Sequence, residues 1–443
     1  MQQLAPTFEL RAQNLPQLAT NDLRAFSVRA LAAYVALRDA NLKLDLTRGR
    51  PCPEQLDLSN DLLTAVGPGN YLAADGSDCR NYYGSPQGLP EARALFADLL
   101  GASADQIVVA NNSSLALMYD VIAYSLLTGG HSVATGWSRQ AGPIRFLCPV
   151  PGYDRHFAIC QQHGIHMIPV RLTGRGPDMD EVERLVADPS VKGMWCVPRY
   201  SNPTGETYCA ETVERLAAMR TGADDFRLFW DDAYAVHHLT ETPDALENVL
   251  SACTRHGNSN RPLVFGSTSK ITFAQGGLGF FAASSANIGW FVDRVTRRTI
   301  GPDKLNQLRH VRLLRDRAGI SAHMAKHRHI LAPKFAVLRE SFREHLGNAG
   351  VATWTEPRGG YFVSLDVLDG CAMRVVALAE EAGVALVPAG RTFPYGQDPR
   401  DCNIRLAPTF PSSEQVRQAA DAVALCTLFA ACEKLLAERG EDS

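Results

Sequence analysis

"VKGMWCVPRYSNPTG" (191–205) runs from an apolar stretch into a turn fixed by Pro203 and Gly205, and "CAETVERLAAMRT" (209–221) follows with helical apolar spacing. The same rhythm recurs on both sides. "DQIVVANNSS" (105–114) leads into "LALMYDVIAYSLL" (115–127), and "DFRLFWDDAY" (225–234) and "RPLVFGSTSK" (261–270) are further strand-like runs that end in polar residues. Strands alternating with helices predict an α/β fold, a mainly parallel sheet with helices on both faces. In such sheets ligands sit beyond the carboxyl ends of the strands. The polar clusters fall at those ends and are the candidate site.

The rest of the chain is patterned differently. Residues 22–40 have helical spacing, and "LDLTRGRPCP" (44–53) breaks into a Gly/Pro loop. Residues 304–347 are helix-rich, followed by the short strands "WTEPRGGYFVSLDV" (354–367), "VALVPAG" (384–390) and "NIRLAP" (403–408) and a helix over 412–438. This is a smaller α+β domain. The expected division is an N-terminal helical arm over 1–50 joining the small domain, a large domain over 51–310, and the small domain with its connecting helix over 311–443.

Composition narrows the partners. A net charge of −3 offers no basic surface for nucleic acid or an anionic membrane, and no uninterrupted apolar run is long enough to cross a bilayer. The 11 cysteines form no C-x-x-C pair, which suits reduced thiols and a cytoplasmic location better than a disulfide scaffold or a metal knuckle.

The strand-end residues suggest a chemistry. Lys270 stands between two apolar runs, where an ammonium is costly unless it is paired or does chemistry. Asp231 and Asp232 close an aromatic run, where a carboxylate calls for a cation or strong donor, and a protonated pyridine nitrogen is one. Ser113 and Ser114 open a helix, whose free N–H groups suit a phosphate. Ser267 and Ser269 add hydroxyls beside Lys270. Asn202 sits in a tight turn, and Tyr153 follows "PVPG", a loop able to present an aromatic face. Together they suit pyridoxal 5′-phosphate, whose aldehyde condenses with a lysine amine. "HMAKH" (323–327) has zinc-like spacing but lacks the required glutamate, and a solvated helix face is expected there. His237 and His238 are expected at the surface or in a structural role.

With these residues in place the chain resembles the fold-type I PLP-dependent aminotransferases of class I, near aspartate aminotransferase. "SNPTG", "DDAY", "STSK" and "NIRLAP" occur in that order, with "NYYGSPQGLPEAR" (81–93) and "PRGGYFVSL" (357–365) also similar. "STSKITF" and "IGPDKLNQLRH" (300–310) resemble an aspartate aminotransferase-like subset near the MocR-type proteins. The resemblance implies a mixed, mainly parallel seven-stranded sheet and a homodimer with shared active sites. It gives Lys270 the condensing amine and the proton shuttle, and Asp231 the pyridinium nitrogen. Asn202 and Tyr234 would bond the phenolic oxygen, and Tyr153 would stack on the ring. Ser113, Ser114 and Ser267 would hold the phosphate, with Tyr83 supplied by a second subunit. Arg405 would grip the substrate α-carboxylate, with Gly49 and Asn202 beside it. Arg297 or Arg298 would read an acidic side chain, making aspartate or glutamate the amino donor to a 2-oxo acid. The family's phosphate arginine, eight residues after the lysine, is replaced here by Leu278; Gly276 and Gly277 could instead admit backbone N–H groups. The alternatives are a PLP-dependent lyase on the same fold and a non-catalytic MocR-like effector-binding module.

Overall fold

The structure is a computed structural model that describes residues 10, 13–82, 84–131, 133 and 135–440. The chain forms two compact units, one of residues 53–201 and 206–328, the other of residues 1–52, 202–205 and 329–443. The helix Arg317–Leu346 gives its first residues to the former and the rest to the latter.

The larger unit is built on seven strands: β1 (Ile107–Ala110), β2 (Arg145–Val150), β3 (His166–Arg171), β4 (Val191–Cys196), β5 (Arg227–Asp231), β6 (Pro262–Ser267) and β7 (Gly279–Ala282). Their order is β1-β7-β6-β5-β4-β2-β3. Only β7 runs antiparallel to its neighbours. The mixed, mainly parallel sheet expected from the sequence is therefore present. Residues of β5 such as Leu228, Phe229 and Trp230 are buried on both faces, as a sheet covered by helices on each side requires.

Strand parity sorts these side chains into two cores. Ile107, Val109, Leu228, Trp230, Val264 and Phe280 enter one. Val108, Phe229, Leu263, Phe265 and Phe281 enter the other, against Leu117 and Val121 of the helix Ser114–Thr128 and Phe157 of the helix Asp154–Gln162. Successive residues of a strand point to opposite faces, so each residue's face at a strand end follows from its position.

In the smaller unit, Val363–Val367 is the centre of a three-stranded antiparallel sheet with Ala352–Trp354 and Asn403–Leu406 on either side. Leu44–Asp45 pairs in parallel with Val384–Ala385. The helix Ser413–Glu438 is buried all round over residues 422–432, which its run of Ala, Val, Leu and Cys residues permits.

Candidate active site

In the larger unit the polar residues gather at the carboxyl ends of the strands. β5 ends at Asp231, and its parity matches Phe229, so its carboxylate faces the core that holds the helices Ser114–Thr128 and Asp154–Gln162. There His156 Nε2 lies 3.0 Å from Asp231 Oδ2. The His156 ring stacks on Trp195 at 4.2 Å and 6°, and Tyr153 meets it edge-on at 4.9 Å. Asp231 is 3% exposed, and its Oδ1 has no hydrogen-bond partner among the described residues. A buried carboxylate oxygen left in that state calls for a donor, and a pyridinium N–H is a suitable one.

Asp232 points the other way. It faces Arg199, whose Nε is 3.6 Å from Asp232 Oδ1. Burial raises its pKa to about 6, Arg199 opposes the rise, and the neighbouring Asp231 adds to it.

Ser113 is the N-cap of the helix Ser114–Thr128, its Oγ accepting from Ala116 N at 3.4 Å. Ser114 is the first helical residue, and both sit after β1 at the end where backbone N–H groups and the dipole favour an anion. Ser267 ends β6 and shares parity with Leu263 and Phe265, which puts it on the same face as Asp231. Lys270 follows in a turn, its Nζ 5.2 Å from the centre of the Tyr234 ring. These residues fit a phosphorylated pyridine aldehyde. Tyr83 lies outside the described residues.

Leu278 is in the core, and its N–H donates to Thr268 Oγ1 at 2.8 Å, so neither its side chain nor its amide is directed to a phosphate. A Cβ at Gly277 would lie 3.0 Å from Ser269 N and 3.2 Å from Asn112 O, so glycine is what lets this loop pack onto the strand-end turns. Asn306 Nδ2 donates to the carbonyls of Gly276 and Gly277, each at 3.1 Å.

Two histidines of this unit depart from the sequence expectation. His323 and His327 are buried rather than on a solvated face. The segment 317–328 is amphipathic in the reverse sense to the one read from "HMAKH", because its imidazoles bond the turn that carries Lys270. His323 Nε2 donates to Ile271 O at 2.8 Å, and His237 Nε2 donates to Lys270 O at 3.2 Å. His327 lies between His323, at 3.1 Å, and Gln55, at 2.8 Å. Gln55 Nε2 donates to His327 Nδ1, which therefore accepts, and His323 Nε2 is protonated to reach the Ile271 carbonyl. His310 donates from Nδ1 to Asn306 O at 2.8 Å, and its Nε2 accepts from the Thr272 hydroxyl at 2.9 Å. Burial lowers the pKa of all four; His310 falls to about 4 and His327 to about 3. Neutral imidazoles thus brace the lysine turn from behind. His237 is buried and structural, not at the surface. Among the described residues no cluster of His, Cys, Asp and Glu could hold a metal.

In the smaller unit, Arg405 lies on the strand Asn403–Leu406 with its Nη1 3.5 Å from Asn202 Oδ1 and its guanidinium 5.0 Å from the Phe362 ring. Ala407 N donates to Leu46 O at 3.0 Å, which ties the "LDLTRGRP" loop to this strand. A Cβ at Gly49 would sit 2.5 Å from Phe362 Cζ, so only glycine fits there. Arg405, Asn202, Phe362 and Gly49 form one cluster. Arg297 and Arg298 are engaged locally: Arg297 with Asp293 at 2.8 Å, and Arg298 with Asp120 at 3.0 Å and Asn111 at 3.2 Å.

His156 and Phe362 were missed in the sequence. His156 is one helical turn beyond Tyr153, a spacing that places both on one face. Phe362 follows "PRGGY" and carries no polar signal.

The Lys270 turn, a buried carboxylate with one unused oxygen and a serine-capped helix N-terminus thus gather at the carboxyl ends of the strands, and comparison with known proteins gives the class. The aspartate amino-transferase family model matches residues 18–439, and the chain belongs to that family. It is 48% identical to an aspartate aminotransferase of Corynebacterium glutamicum over 90% of this chain and 91% of that protein. The crystal structure of an aspartate transaminase from the same organism superposes with a TM-score of 0.93 at 46% identity, covering 95% of this chain and 99% of that one. The α-aminoadipate aminotransferase LysN of Thermus thermophilus, crystallised with N-(5′-phosphopyridoxyl)-L-leucine, shares the fold at a TM-score of 0.71 and 20% identity, covering 95% of this chain and 96% of that one. The chain is an aminotransferase.

Proposed function

We propose that this aminotransferase uses pyridoxal 5′-phosphate to move an amino group from an L-amino acid, aspartate or glutamate first, to a 2-oxo acid. Asp231, Tyr234, Asn202 and Tyr153 would hold the ring, with Ser113, Ser114 and Ser267 at the phosphate. The bound cofactor would supply an aldehyde and an electron sink. Asp231 would offer Oδ1 to the protonated ring nitrogen, while His156 holds Oδ2. Lys270 would supply the amine that binds the aldehyde and, once free, the general base for the substrate's Cα proton. Arg405 receives the α-carboxylate with its planar fork beside Asn202 and Gly49. The dicarboxylate preference draws support from the C. glutamicum relative's name. A homodimer with shared sites, completed by Tyr83 of the other subunit, and a cytoplasmic location complete the proposal. Among the described residues no helix is long and apolar enough to cross a membrane.

The observation that carries this reading is the buried, unpartnered Oδ1 of Asp231 on the same sheet face as the Ser113 helix end. The test is a single turnover. The purified protein should show absorbance near the visible edge that is lost in Lys270→Ala, and aspartate should convert it while yielding one equivalent of oxaloacetate. Pyruvate and ammonia released without a 2-oxo acid acceptor would favour the lyase and sink transamination.

A further inference from the structure

A second cavity, of about 300 Å³, opens in the larger unit away from the residues assigned above. Its apolar wall includes Leu99, Ile320 and Met324, and three guanidinium groups, from Arg199, Arg317 and Arg328, line it against one carboxylate, Glu241. The cations are lightly neutralised. Arg317 reaches Asp98 Oδ2 at 3.9 Å and Asp98 O at 2.9 Å, and Arg328 bonds Thr240 O at 3.2 Å. Arg199 Nη1 bonds Ala235 O at 3.4 Å, while its Nε is buried and makes no hydrogen bond among the described residues. Asp232 forms an ion pair with this Nε at 3.6 Å, beyond hydrogen-bond length. His238, in the same wall, has its pKa lowered to about 4, first by burial and then by Arg199, with Asp244 opposing and Arg328 and Arg317 adding smaller effects. The three guanidinium groups thus line one space.

We propose that this cavity is a binding site for a small organic anion with an apolar body, its carboxylate held by Arg199, Arg317 and Arg328 and its hydrocarbon against Leu99, Ile320 and Met324. Guanidinium forks suit a carboxylate, and the apolar wall favours a longer chain over a bare inorganic ion. Arg199 is shared with Asp232, the residue after Asp231, so an anion in the cavity draws the guanidinium from a carboxylate at the end of β5.

The test is calorimetric titration of the holoenzyme with 4-phenylbutyrate, butyrate and inorganic phosphate at constant ionic strength. The background is Arg405→Gln, so that uptake at the proposed substrate clamp is suppressed. Saturable binding of 4-phenylbutyrate is expected, tighter than butyrate and phosphate, and weakened at least tenfold when Arg317→Gln and Arg328→Gln are added. Circular dichroism and the thermal midpoint of that variant should match the parent, since both arginines are at the rim. No saturable binding, binding unchanged in the rim variant, or phosphate binding as tightly as 4-phenylbutyrate would each overturn the proposal. The readout is independent of turnover, so it stands or fails separately from the transamination reading.

Discussion

Asp231 and Asp232 are identical in chemistry and adjacent in sequence, yet a strand sends them to opposite faces. Asp231 meets His156 and keeps one oxygen unspent, whereas Asp232 meets Arg199. Two predictions separate them. Asp231→Asn removes the charge that would hold a proton on a ring nitrogen. Loss of a charged hydrogen bond is worth about 1.5–3 kcal/mol, so kcat/KM should drop roughly 10- to 100-fold, with the fold unchanged by circular dichroism. Asp232→Asn should change stability in a pH-dependent way. The folded-state pKa is raised to about 6, so the wild type is relieved of a buried charge in acid and carries it fully above that value. The stability of Asp232→Asn relative to wild type should therefore grow between about pH 4 and 6.5, by on the order of 2–3 kcal/mol, and then level off. Urea unfolding at pH 4, 5.5 and 7.5 measures it; a difference that stays flat with pH would refute the assignment. The doublet was legible in the sequence as a candidate site, but choosing Asp231 there rested on the family resemblance. Parity supplies the physical reason, and it needs the strand's register.

At the scale of elements, the turn after β6 is bonded from behind by histidines of other segments as well as by its own residues. His323 and His237 donate to the carbonyls of Ile271 and Lys270, while Thr268 and Thr272 engage His310. None of this was legible, because an i, i+4 histidine pair reads alike on a wet face and a dry one. Only the packing of the helix Arg317–Leu346 decides which face is dry. The strands and the serine-capped helix were legible, because apolar runs and turn residues signal them locally. Depressed histidine pKa values give the linkage its sign. The unfolded chain binds protons near pH 6.5 that the folded chain refuses until about pH 3 at His327 and about pH 4 at His310. Their contribution is intact above about pH 6.5 and lost as acid passes through the folded values. Stability should fall steeply from pH 6.5 to 4, and His327→Gln should remove on the order of 3 kcal/mol or more of that fall. Guanidinium unfolding at the two pH values would show it. If the variant followed the wild-type slope, His327 would not be held neutral by the fold.

Across the larger unit as a whole, the sheet is polarised between its two ends. Chemistry gathers at the carboxyl ends of the strands, while the amino ends carry buried ions of a different kind. Lys192 Nζ at the start of β4 lies 2.9 Å from Asp225 Oδ1, both side chains less than 10% exposed. Asp225 Oδ2 also accepts from Trp137 Nε1 and Gln140 Nε2, each at 2.9 Å. Arg261, just before β6, caps the helix Ala210–Ala218 by donating to the carbonyls of Leu216, Ala217 and Met219. Three donors hold the Asp225 carboxyl below its usual range although burial, the largest influence, opposes them. Sequence reading left these residues aside, since a lone Lys, Asp or Arg beside an apolar run carries no motif. Breaking a buried pair by removing one partner costs about 3–5 kcal/mol, because the other charge stays buried. Asp225→Ala should therefore destabilise the protein by about that amount, while the surviving folded fraction keeps its kcat, since the change is at the sheet end away from Lys270. Asp231→Asn should do the reverse, lowering turnover with little loss of stability. Unfolding curves and active-site-normalised kinetics on the two variants, side by side, read both halves of the contrast. Equal losses of stability in the two would contradict a division of labour along the strands.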